Sequence, residues 1–172
     1  MHRQHQPRLG IDIGRVIIDG SAHPGGGDTA FFSGTEQIML ATPEMAGAFA
    51  AIARLTELFE GRAWLVSKCG ERVQQRSRRW LAAHDFHART GIPPEHLRFC
   101  RERRDKRIHC LDLGLTHVVD DRPDVHAAIA DVVPHRYLFG PQRPCVSGDA
   151  TRVANWAETE AAITRQLRGG SA

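Results

Sequence analysis

Two aspartate-bearing strand ends, far apart in the chain, set the tightest limits on what this sequence folds into. The run Leu9-Gly10-Ile11-Asp12-Ile13-Gly14-Arg15-Val16-Ile17-Ile18 puts Asp12 at the end of an apolar strand, ahead of a glycine turn. The run Thr116-His117-Val118-Val119-Asp120-Asp121-Arg122-Pro123-Asp124 does the same with a pair of carboxylates. In a parallel sheet such strand ends converge on one rim, and open α/β folds bind their ligands there. Carboxylates gathered at one point repel each other, and a hard divalent cation such as Mg²⁺ is the usual relief. The pattern therefore points to a Mg²⁺ site for phosphate chemistry.

The rest of the chain supplies the alternating units such a sheet needs. Strands are expected at 9–13, 63–67, 97–100, 117–119 and 136–139. Between them, Thr42 followed by Pro43 reads as the start of a helix that runs to Phe59, with Ala48, Ile52, Leu55 and Phe59 on one face. Further helices are expected at 71–88, 106–113 (closed by Gly114), 123–130 and 149–168. Arg72, Arg76 and Arg79 fall on one outer side of the second. The prediction is a three-layer α/β/α sandwich around a mainly parallel, Rossmann-like sheet. Residues 1–8 are polar and read as a flexible end, and 9–172 as a single domain. The segment 19–35, with Gly20, Pro24, Gly25, Gly26, Gly27 and Gly34, reads as a short loop or flap over the strand ends.

Composition excludes several classes. At 172 residues with 41% apolar and 25% charged, the chain is an ordinary globular length and mix. The four cysteines lack CxxC spacing and nothing resembles a signal peptide, which reads as free thiols in a reducing, cytoplasmic setting. No apolar stretch is long enough to cross a bilayer, so no membrane partner is expected. No His or Cys spacing fits a structural zinc motif. A net charge of +3 does not demand nucleic acid, and 6% aromatic residues provide no evident base-stacking platform. The Arg-rich stretches 72–79 and 98–107 read as solvated faces before they read as a track for a phosphate backbone. Of 23 basic residues only Lys68 and Lys106 are lysines, and both lie near strand ends or turns, where a compact ammonium suits a phosphate or carboxylate.

In this order the motifs resemble those of the haloacid dehalogenase-like (HAD) superfamily of phosphohydrolases, in a form with a minimal cap. The family's first strand ends in Asp-x-Asp-x-Thr/Val, here Asp12-Ile13-Gly14-Arg15-Val16. Its second motif is a strand ending in Ser or Thr, here Trp64-Leu65-Val66-Ser67, and its third is a Lys at a helix start, here Lys106. Its fourth is an apolar strand ending in acids, here Val118-Val119-Asp120-Asp121. The resemblance spans Leu9 to about Phe139 and implies an aspartyl-phosphate mechanism on a Rossmann-like core. Asp12 would be the nucleophile and Ser67 would bind a phosphoryl oxygen. Lys106 would neutralise charge, and Lys68 is a further phosphate-binding candidate. Mg²⁺ would be held by Asp12, the main-chain carbonyl of Gly14, and Asp120 or Asp121. The expected partner is a phosphorylated substrate, either a small molecule or the end of a macromolecule.

One position departs from the pattern. The second Asp of the first motif, which protonates the leaving oxygen and later activates water in hydrolytic members, is Gly14. A general acid or base at that place is worth about 10²–10⁴ in rate. Asp19, Arg15 and His23 are candidates to replace it, and Asp124 reads as a helix-start residue. The leading expectation is a Mg²⁺-dependent phosphohydrolase or phosphotransferase. The alternatives are a catalytically impaired phosphate- or partner-binding module, a different reaction on the same Asp-nucleophile scaffold, and a nucleic-acid-processing phosphatase.

Overall fold

The computed structural model describes residues 6–23, 27–143 and 148–170. Residues 1–5 of the expected flexible end, Pro24, Gly25 and Gly26 of the expected flap, and Cys145 lie outside the described residues. Strands β1 (Leu9–Ile11), β2 (Ala63–Lys68), β3 (Leu97–Cys100), β4 (His117–Asp120), β5 (His135–Phe139) and β6 (Thr151–Val153) form one sheet in the order β3-β2-β1-β4-β5-β6. Every neighbouring pair is parallel. The chain steps outward from β1 through β2 to β3, then returns to the other side of β1 as β4. This reversal of strand order opens a crevice between β1 and β4. Ile11 pairs with Val119, so Asp12 and Asp120 leave the two central strands at the same level.

Among the described residues there are eight α-helices: α1 (Thr29–Ser33), α2 (Glu36–Leu40), α3 (Ala48–Leu58), α4 (Glu71–Ala83), α5 (Phe86–Thr90), α6 (Lys106–Leu113), α7 (Pro123–Ala128) and α8 (Trp156–Gly169). Strand side chains alternate between two cores. Leu9, Ile11, Ala63 and Leu65 pack with Phe49, Ile52, Leu55, Trp80, Phe86 and Ile163 of α3, α4, α5 and α8. Trp64, Val66 and Val118 pack with Cys110, Leu113 and Val125 of α6 and α7 on the opposite face. Burial on both faces is why the strands read as continuous apolar runs. Among the described residues no helix is long and apolar enough to cross a membrane.

Local structure departs from the expectations where backbone groups found better partners. The helix expected from Thr42 begins at Ala48, after Gly47 turns at φ 75°. The stretch before it is tied to the turn after β1: Asp19 N–H donates to the Pro43 carbonyl at 3.0 Å and Met45 N–H to the Ile17 carbonyl at 2.6 Å. Glu44 instead caps α3, accepting from the Phe49 N–H at 2.9 Å. The helix expected over 71–88 breaks at Asp85, whose φ of 54° is left-handed, into α4 and α5. The 19–35 segment holds a 3₁₀ turn at Gly20–Ala22 and the helix α1. α2 was not expected; Thr35 caps it by accepting from Ile38 N–H at 3.3 Å. The three-residue β6 was also not expected, and α8 starts only at Trp156, with Asn155 accepting from Glu158 N–H at 3.0 Å. Arg8, placed with the flexible end from sequence, is bound through its carbonyl to the Thr116 and His117 N–H groups.

Two indoles and one guanidinium brace this part of the molecule. Trp156 Nε1 donates to the Val16 carbonyl at 2.7 Å and Trp80 Nε1 to the Thr42 carbonyl at 2.8 Å. Arg76 is not on an outer face but buried, with its Nε and Nη2 donating to the Phe31 and Gly34 carbonyls, each at 2.7 Å. A cation on the last carbonyls of a helix satisfies acceptors that have no partner within it. Arg76 thus ties α1 to α4. Replacing Trp156 by Phe keeps a ring in the core and removes the donor to Val16, whose buried carbonyl then lacks that bond. The expected loss is about 1–3 kcal/mol, read as a lower midpoint in chemical denaturation with an unchanged slope.

Candidate active site

The turn that follows β1 is built to hold Asp12 at the crevice. Asp12 N–H donates to the Val119 carbonyl at 3.0 Å, which continues the β1–β4 ladder past the last strand residue. The Ile13 carbonyl then accepts from Ile17 at 2.9 Å and Ile18 at 3.2 Å, so the chain folds back on itself within one turn. Arg15 takes the left-handed conformation, φ 61°, to close it. β4 delivers Asp120 beside Asp12. One carboxylate oxygen from each of Asp12, Asp120 and Asp121 lies within 4.8 Å of the others, the one such cluster of metal-ligating side chains among the described residues.

Lys106 completes the group from the first turn of α6. Its Nζ donates to Asp12 Oδ1 at 2.9 Å and to Asp120 Oδ2 at 2.6 Å. The side chain is buried, although its neighbours Arg103, Arg104 and Asp105 stay at the surface or near it. Burial works against the lysine charge, but the two carboxylates outweigh it and hold its pKa above the usual value. Asp120 has its other oxygen on the Arg122 N–H at 2.9 Å. Burial and then the Asp12 charge push it up to about 6, against the pull of Lys106. Asp121 is pushed up to about 7 by burial, Asp12 and Asp120. Burial is the larger cause at both acids, and the neighbouring carboxylates add to it against the single ammonium of Lys106.

Asp12, Asp121 and Lys106 open onto a cavity of about 430 Å³, while Asp120 stays buried behind them. Asp12, Gly14, Ser67, Lys68, Lys106 and Asp121 line it, so the turn after β1, the end of β2, the start of α6 and the residue after β4 all contribute. Ser67 is buried at the last turn-facing position of β2, whereas Lys68 is exposed. Gly14 has ordinary negative φ, and a Cβ built on it meets nothing within 4 Å.

The positions considered as substitutes for the missing acid separate here. Asp19 is turned away to cap the Gly20–Ala22 turn through Ser21 N–H at 3.1 Å. His23 Nε2 bonds to Thr42 Oγ1 at 2.6 Å, and neither Asp19 nor His23 borders the cavity. Arg15 borders it but is paired with Asp28. Asp124 is exposed, 3.4 Å from both Arg103 and Arg122, and is not one of the clustered carboxylates. Sequence reasoning missed Asp28, Phe31, Phe32 and Ser77 of the cavity wall. A signal for the first was present, an Asp immediately before Thr-Ala-Phe-Phe, but the surrounding glycines read as a loop.

No protein-family model matches the sequence, and no curated protein is similar to it in sequence. The likeness is in three dimensions. A haloacid dehalogenase-like hydrolase from Burkholderia xenovorans LB400 superposes with a TM-score of 0.66 at 12% identity, covering 95% of this chain and 99% of that one. A HAD family hydrolase from Deinococcus radiodurans R1, with bound phosphate and sodium, gives a TM-score of 0.64 at 14% identity, covering 92% of this chain and 95% of that one. Both likenesses run over nearly the whole of each partner, and this chain has the fold of the haloacid dehalogenase-like hydrolases.

Proposed function

We propose that this protein is a Mg²⁺-dependent phosphohydrolase or phosphotransferase that works through an aspartyl phosphate on Asp12. The observation that carries the reading is the meeting of Asp12, Asp120, Asp121 and Lys106 at the switch point of the sheet, with Asp12, Asp121 and Lys106 lining one cavity. The donor set fits the metal: three carboxylates supply hard oxygen ligands and an excess of negative charge, and no thiol or imidazole belongs to the cluster. Asp12, Asp120, Asp121 and the main-chain carbonyl of Gly14 would hold the ion. When bound, Mg²⁺ supplies charge neutralisation for the phosphoryl oxygens.

The side chains divide the remaining work. The Asp12 carboxylate attacks phosphorus, forming an acyl phosphate as the bond to the leaving oxygen breaks. Lys106 fixes the nucleophile's orientation through its bond to Asp12 Oδ1 and balances charge on the transferred group. The Ser67 hydroxyl, at the cavity wall, donates to a phosphoryl oxygen. Lys68 at the mouth attracts the incoming anion. Phosphoryl transfer draws mainly on positioning and electrostatic stabilisation, and these residues provide both. The phosphate bound to the Deinococcus protein of the same fold supports a phosphorylated ligand. The cavity volume, with Phe31, Phe32 and Val73 in its wall, suits a small phosphorylated molecule.

Turnover of 4-nitrophenyl phosphate is expected to require Mg²⁺ and to vanish in Asp12→Asn. Mg²⁺-independent turnover, or full activity in that variant, would overturn the reading. Gly14→Asp is accommodated without strain, because the position has open space and an ordinary φ. It is expected to raise turnover of alkyl phosphates by about 10²–10⁴ while changing 4-nitrophenyl phosphate little, since nitrophenolate leaves without acid help. Steady-state comparison of the two substrate types checks it.

The clustered acids also fix a pH response. Asp120 and Asp121 titrate near about 6 and about 7 in the fold, against an ordinary 3.8. The folded protein then holds protons that the unfolded chain has released, so metal-free stability falls as pH rises from about 4 to about 7. Asp121→Asn is expected to raise metal-free stability at pH 8 by about 1–3 kcal/mol, to flatten that fall, and to reduce the stabilisation by added Mg²⁺. Thermal unfolding across this range, with and without Mg²⁺, reads all three.

A further inference from the structure

Gly14 leaves the phosphoenzyme without its usual base, and the cavity contains one more carboxylate that no step above uses. Asp28 precedes α1 and borders the same cavity as Asp12 and Ser67. Three independent features hold it there. Arg15, the residue directly after Gly14, adopts left-handed backbone at φ 61° and reaches across to it, Nε to Asp28 Oδ2 at 2.5 Å. Gly20 packs against it: a Cβ at Gly20 would lie 2.0 Å from Asp28 Oδ1 and 3.1 Å from its Cα, so a larger residue there would displace the carboxylate. Arg76 anchors the far end of α1 to α4 through the Phe31 and Gly34 carbonyls. A side chain held by a strained neighbour, a glycine cradle and a buried anchor is more constrained than a surface ion pair needs to be.

We infer that Asp28, held by Arg15, is the general base that activates water against the aspartyl phosphate on Asp12. The inference rests on the mechanism proposed above. In the step, a water oxygen bonds to phosphorus while one water proton passes to the Asp28 carboxylate. The bond between phosphorus and the Asp12 oxygen breaks, its electron pair returns to the Asp12 carboxylate, and inorganic phosphate leaves. The proton on Asp28 is then lost to solvent, to which the side chain keeps 18% exposure.

With one oxygen already accepting from Arg15 Nε, Asp28 is placed to accept a proton from water and not to give one to the leaving group. The leaving group therefore departs unprotonated. That selects a substrate class: phosphate esters of acidic hydroxyls, such as aryl or enol phosphates, and phosphoric anhydrides, in preference to phosphates of simple alcohols.

Rapid mixing with 4-nitrophenyl phosphate and Mg²⁺ separates the two halves. In Asp28→Asn, nitrophenolate release in the first turnover is expected at the wild-type rate. Steady-state turnover is expected to fall by about 10²-fold or more, with aspartyl phosphate accumulating on Asp12. Adding Gly14→Asp to that variant is expected to restore steady-state turnover, which a merely structural defect would not allow. Arg15→Gln, which releases Asp28 without removing it, is expected to slow the same half-reaction, and it serves as the test should Asp28→Asn fail to fold. Unchanged steady-state turnover in the variant tested, or equal slowing of both halves, overturns the role of Asp28 and leaves the Asp12 mechanism standing. A wild-type protein that forms no phosphoenzyme on Asp12 overturns the mechanism itself, and the role of Asp28 with it.

Discussion

The buried bridge from Lys106 to Asp12 and Asp120 is the contact on which the site depends. An ammonium at 2.9 and 2.6 Å from two carboxylates offsets part of the repulsion that their shared position creates. Removing one member of such a buried group strands the remaining charges and costs about 3–5 kcal/mol. The bridge also joins three elements that are distant in sequence, the ends of β1 and β4 and the first turn of α6. Its geometry follows from the parallel register of Ile11 with Val119, which brings both acidic strand ends to one level. Stability and site geometry are therefore the same set of contacts here. Burial and then mutual repulsion raise the pKa values of Asp120 and Asp121, and a divalent cation would relieve both by favouring the ionised carboxylates.

Around this centre the small insertion after β1 behaves as part of the wall. Arg76 holds α1 by its terminal carbonyls, and the Arg79–Glu36 pair at 3.1 Å adds a weaker surface contact to α2. The turn that carries Gly14 and Arg15 is braced on its other side by the Trp156 bond to Val16. The first motif is thus framed by the C-terminal helix, the insertion and the central strand together. A loose turn here would misplace Asp12, and small displacements of a reacting group are costly in rate.

Much of the layout was legible from local chemistry. Short, largely apolar runs bounded by Gly, Pro and acidic residues marked five of the six strands, and Gly114 marked the end of α6 at φ 60°. β6 escaped notice because three residues, two of them exposed, carry no periodicity. The helix predicted from Thr42 failed for a tertiary reason. Its capping signature was sound locally, but the Pro43 carbonyl was recruited by Asp19 and the Thr42 carbonyl by Trp80, and Gly47 supplied the true start. Arg76 looked like one of three outer arginines because the helical period places it near Arg72 and Arg79. Only the position of α1 above it explains why a guanidinium is worth burying there.

By itself the sequence determined an α/β chain with acids at the ends of two strands, because side-chain patterning and turn residues act over a few neighbours. It did not determine that Lys106 leaves a run of solvent-facing charges for the interior, or that Asp28 leaves a glycine-rich loop for the wall of the cavity that Asp12 also lines. Those outcomes were decided by the tertiary structure, since each depends on a partner from another element, Asp12 for Lys106 and Arg15 for Asp28, being delivered to the same crevice. Burial of a charge is favourable only where opposite charges and hydrogen bonds already wait for it, and no local stretch of chain contains that information.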